Sequence, residues 1–80
     1  MTKYFFHLRT GNEIIEDEEG VDLDSAAAAH REAITAAREM LAEAVLQGNV
    51  VDGQVFEITD NTGRIIERLP LKEALRLSES

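Results

Sequence analysis

Eighty residues support a single domain, residues 1–80, with one modest hydrophobic core. The formal net charge of −8 repels phosphate backbones and anionic membranes, and the eight Lys and Arg residues are spread along the chain, so neither nucleic acid nor membrane is an expected partner. Cysteine is absent, which excludes disulfides and thiolate metal sites.

The chain passes from Met1-Thr2-Lys3 straight into a strand-like segment. It shows no apolar leader and no run long enough to span a bilayer, so a cytoplasmic location is expected. Residues 4–9 are aromatic and apolar and end at Thr10-Gly11-Asn12, the pattern of a strand and a turn. Period-two alternation puts Tyr4, Phe6 and Leu8 on one face and Phe5, His7 and Arg9 on the other. A shorter strand is expected over residues 13–17, followed by the acidic run Glu16-Asp17-Glu18-Glu19 and a change of direction at Gly20.

Asp24 and Ser25 are candidate N-caps for a helix over residues 25–47, a stretch free of Gly and Pro and rich in alanine. A helical wheel aligns Ala26, Ala33, Ala37, Met40, Leu41 and Ala44, with Arg31, Thr35, Arg38, Glu39 and Glu43 opposite. Gly48-Asn49 supplies the stop. The small side chains draw the helix close to its neighbour, so the bulk must come from strand residues such as Phe6, Leu8, Phe56 and Ile58.

Residues 54–59 alternate as a half-buried strand, Asp60-Asn61-Thr62-Gly63 forms a turn, and residues 64–69 return. A three-residue loop with a bulge would set Ile58 opposite Ile66, and a four-residue loop would set it opposite Ile65. Pro70 ends the strand ahead of a short helix over residues 71–77, and residues 78–80 are expected to fray. The expected fold is therefore α+β in the order β-β-α-β-β-α. One long Ala-rich helix covers one face of a small, mainly antiparallel sheet.

Tyr4-Phe5-Phe6-His7-Leu8-Arg9, Glu16-Asp17-Glu18-Glu19-Gly20-Val21, and Thr59-Asp60-Asn61-Thr62-Gly63-Arg64 with Leu69-Pro70-Leu71 occur together and in order. In this the chain resembles a family of short rhizobial-type alphaproteobacterial proteins of unknown function that begin close to Tyr-Phe-Phe-His. The resemblance implies a compact cytosolic domain and brings no catalytic residues with it.

Residue chemistry points away from catalysis. An EF-hand frame placed on Gly20 begins at Ile15, and one placed on Gly63 begins at Ile58, so both lack the leading oxygen ligand. Asp17, Glu18 and Glu19 could hold a cation only loosely, and the ordinary reading is a solvated loop that protects a sheet edge. His7 and His30 have no metal-ligand spacing and no evident third ligand. Histidine titrates near neutrality, so either could respond to pH. His30 reads as a boundary residue on the apolar stripe. The serines occupy a cap and the tail, no glycine-rich phosphate loop is present, and no cofactor is expected.

One sheet face is left without a helix, and Phe5, His7 and Val55, with Ile65 or Ile66, fall on it. Leu46, with Ala28 and Ala42, lies on the otherwise polar back of the helix. The expected function is a non-enzymatic interaction module that forms a homodimer or docks another protein through Phe5, His7, Val55, Ile65 and Ile66. The alternatives are a small-ligand or cation-binding domain built on His7 and the acidic loop, or, by analogy alone, an antitoxin-like partner of a basic protein.

Overall fold

The computed structural model describes residues 1–49 and 53–77, the last two of these by backbone alone. The elements are β1 (Thr2–Thr10), β2 (Glu13–Ile15), β3 (Val21–Leu23), α1 (Ala26–Leu46), β4 (Gln54–Thr59), β5 (Ile65–Pro70) and α2 (Glu73–Leu77). The α+β class and every expected element are present, with β3 as an addition. The tail expected to fray, residues 78–80, lies outside the described residues. No helix among the described residues is long and apolar enough to cross a membrane.

The sheet is antiparallel, in the order β2-β1-β4-β5, with β3 also paired to β1. Pairing of Phe6 with Ile58 and of Phe56 with both Leu8 and Leu69 sets these side chains on one face. That face carries the core: Tyr4, Phe56, Ile58 and Leu69 are buried, with Phe6 and Leu8 packed against them. Phe6 and Phe56 meet edge to face, with centroids 6.4 Å apart.

Helix α1 begins where the Ser25 hydroxyl accepts the Ala28 amide at 3.1 Å, so Ser25 rather than Asp24 is the cap. The buried stripe is Ala29, Ala33, Ile34, Ala37 and Leu41; Ala26, expected within it, is exposed. Ala29, Ala33 and Ala37 have no accessible surface at all, so the sheet residues press directly on their methyl groups. Leu71 and Ala74, equally buried, close the core from the chain's end.

The β4–β5 connection corrects the expected register. Ile58 faces Glu67 rather than Ile65 or Ile66, because Thr59 pairs with Ile65 and a register shift between Ile58 and Thr59 inserts one further residue on β5. Asp60 organises this loop. One of its oxygens accepts the Thr62 hydroxyl at 2.6 Å, the Thr62 amide at 2.9 Å and the Arg64 amide at 3.1 Å. These donors outweigh the opposing desolvation and hold the Asp60 carboxyl below its ordinary pKa. Gly63 supplies the φ of +88° that the loop requires.

An alanine pressed against a sheet leaves no room for a larger side chain. Ala33→Leu is expected to destabilise the fold by about 1–3 kcal/mol in urea unfolding, whereas the same change at exposed Ala42 stays within about 0.5 kcal/mol.

Candidate functional site

Strand β1 is flanked on one side by β4 and on the other by two short strands in succession. Between β2 and β3 the ladder is broken opposite Phe5, Phe6 and His7, and Asp17 fills the break. Its Oδ2 accepts the Phe6 amide at 3.1 Å, and its Oδ1 accepts the amides of Glu19 and Gly20 at 3.2 Å each. The carboxylate thus stands in for a strand carbonyl and ties the returning loop to the edge of β1. Gly20 lies so close that a Cβ there would sit 2.7 Å from Lys3 Cγ and 2.9 Å from Phe5 Cε2, at a φ of +71°.

The Asp17 amide in turn donates to His7 Nδ1 at 3.0 Å. That bond requires Nδ1 to be unprotonated, so the neutral ring carries its proton on Nε2 and donates to Thr59 Oγ1 at 3.3 Å. In this tautomer the imidazole cannot accept the threonine proton, so the pair is not set up as a nucleophile and base. Partial burial raises the Asp17 pKa, but the amides of Phe6, Gly20 and Glu19 outweigh it and lower the pKa overall.

The register sets Phe5, His7 and Arg9 beside Thr59, Glu57 and Val55 on the sheet face away from the helix. Arg68, Ile65 and Pro70 extend that face along β5. Ile66 is the extra residue of the register shift and is exposed. The rings of Phe5 and His7 lie parallel, 6.2 Å apart. The sequence-derived interface residues Phe5, His7, Val55 and Ile65 are thus brought together, but they do not form a continuous apolar patch. Glu57 and Thr59, at 5% and 6% exposure, occupy its middle.

Glu57 is the feature that sequence reasoning missed. Its Oε2 accepts Arg9 Nε at 2.8 Å and Arg68 Nε at 3.4 Å, and the two guanidinium groups cover it. The Arg9 hydrogen bond first, and then the charges of both arginines, hold its pKa down against desolvation. The Arg9 pKa is raised correspondingly, chiefly by the hydrogen bond to Glu57. On the other face, His30 Nδ1 meets Glu67 Oε2 at 2.8 Å.

Among the described residues, no three His, Cys, Asp or Glu side chains are grouped to hold a metal ion. An open groove of about 600 Å3 runs between the C-terminal half of α1 and the ends of β1 and β4, lined by Met40, Glu43 and Gln54 among others. None of the residues singled out from the sequence for metal or ligand binding lines it.

A family model described as a domain of unknown function (DUF6894) matches residues 3–72. The chain belongs to this family. The matched span of the DUF6894 domain takes in the sheet except Thr2, together with α1 and the Asp17 loop, and stops just short of α2. Neither a curated protein nor a solved structure matches the chain.

Asp17→Asn replaces an ionised acceptor with a neutral one at three backbone amides and is expected to cost about 1–3 kcal/mol at pH 7. Because the folded-state pKa of Asp17 is lowered, its contribution is complete above the ordinary carboxylate value of about 4 and is lost as pH falls through the lower folded value. Urea titrations should therefore show the gap between wild type and variant at pH 7 shrinking below about pH 4.

Proposed function

We propose that this DUF6894 domain is a cytoplasmic, non-enzymatic interaction module that self-associates through its helix-free sheet face. The observation that carries this reading is the composition of that face. Half-buried Phe5 and Val55 and exposed Ile65 and Ile14 surround two arginines held by one carboxylate. Aromatic and Arg side chains are enriched in protein interfaces, and apolar area alone does not distinguish them from other surface. A sheet face without a covering helix also offers a small molecule little of the enclosure that binding pockets provide.

The alternative built on His7 and the acidic loop is less well supported. Both His7 nitrogens and both Asp17 oxygens already have partners inside the fold, so a cation would have to displace structural hydrogen bonds. The tautomer imposed on His7 supports the non-enzymatic part of the reading. The placement among rhizobial-type alphaproteobacteria belongs to the same proposal and rests on the Tyr4-Phe5-Phe6-His7 opening.

Sedimentation at about 100 μM protein, well above the micromolar range of specific association, is expected to show a dimer. Phe5→Glu and, at a more exposed position, Ile65→Glu are each expected to shift it to monomer while circular dichroism stays native. A monomeric wild type would contradict the proposal. A dimer indifferent to both substitutions would move the interface elsewhere, with Leu46, 87% exposed on α1, the next surface to examine.

A further inference from the structure

The strand order gives the sheet opposite charges at its two edges. Every charged side chain from Glu13 to Asp24 is acidic, and this segment forms the β2–β3 edge. At the other edge, β5 carries Arg68 and is preceded by Arg64, both exposed. Glu67, between them, does not cancel their charge on the open face. It pairs with Ile58 on the helix side and is held there by His30. Glu57 meets the Nε of Arg68 at 3.4 Å, and the Arg68 side chain remains 64% exposed.

An edge-to-edge dipole of this kind is self-complementary in one arrangement. A two-fold axis parallel to the strands, lying between two stacked sheets, keeps position along the strands and exchanges the edges. The acidic edge of each copy then lies over the basic edge of the other, and the two contacts are identical by symmetry. The same operation stacks the sheets with their strands aligned, one of the two usual ways in which sheets pack face to face. A two-fold axis in the interface but across the strands would instead set each edge over its own copy, acid on acid.

We infer that the partner on the open face is a second copy of this chain, stacked with strands aligned so that Arg64 and Arg68 lie over the partner's acidic edge. This deepens the self-association reading and rests on it. The size of the face explains why charge decides the arrangement. Strand spacings of about 4.8 Å and rises of about 3.3 Å per residue give a contact of roughly 20 by 20 Å. That is about half the roughly 800 Å2 that each partner contributes to a standard interface. Apolar contact over such an area is weak, and complementary charges at its rim then select the alignment and suppress the others.

Charge exchange between two variants tests this directly. One variant carries Arg64→Glu with Arg68→Glu, and the other carries Glu18→Lys with Asp22→Lys. In the inferred dimer each variant places like charges over like when paired with itself, whereas a mixed pair restores attraction at both edges. Sedimentation at low ionic strength is expected to show each variant dimerising at least tenfold more weakly than wild type. An equimolar mixture is expected to form a heterodimer of near wild-type affinity. Arg64→Glu alone, which leaves the Arg68–Glu57 contact intact, repeats the test should the double substitution unfold the chain. A wild-type dimer whose variants do not rescue each other would overturn the inferred alignment and leave the interaction module standing. A monomeric wild type would remove both.

Discussion

Three backbone amides converge on the Asp17 carboxylate, and the sheet edge is built around that point. A strand running unbroken from Glu13 to Leu23 would present a long free edge open to further pairing. Here the edge is divided into two three-residue strands, and the amide that the break exposes, Phe6 N–H, is taken by a side chain. The same turn brings Gly20 against Phe5 and Lys3 and sets the Asp17 amide on His7. The conformation of the acidic edge, the orientation of the Phe5–His7 pair and the tautomer of the imidazole therefore share one cause.

The two faces of the sheet solve different problems. Toward the helix, alanines without accessible surface allow close approach, and Phe56, Ile58 and Leu69 supply the volume. Away from it the described residues supply no covering layer, and Arg9 and Arg68 fold over Glu57 and remove much of the middle of the face from water. Burial of Glu57 is tolerated because it remains ionised between two cations. What stays accessible is a ring of apolar and cationic groups, bordered on one edge by acids and on the other by arginines.

Much of this arrangement could be read from the residues, and the exceptions have physical reasons. The alanine run, the Ser25 cap and the Gly48 stop are local signals, and α1 follows them closely. Period-two alternation placed Phe5, His7 and Val55 together because parity along a strand depends only on the backbone. Strand β3 was not legible: Val21-Asp22-Leu23 is too short for a periodic signal and is held by pairing with Thr2 to Tyr4. The position of Ile58 opposite Glu67 depends on an inserted residue that no turn motif announces. The basic residues look dispersed in sequence because the bonds that gather Arg9 and Arg68 around Glu57 join strands far apart in the chain. Asp17 read as one acid in a solvated run, since nothing local marks which carboxylate turns inward.

Amide hydrogen exchange at Phe6 tests the Asp17 account most directly. The Phe6 N–H lies opposite the break, whereas Leu8 lies within the β1–β2 ladder, and both belong to one strand. If the carboxylate replaces the missing ladder bond, Phe6 is protected to a degree comparable with Leu8 at neutral pH. Exchange of Phe6 at the rate of an unprotected amide, with Leu8 still protected, would contradict it.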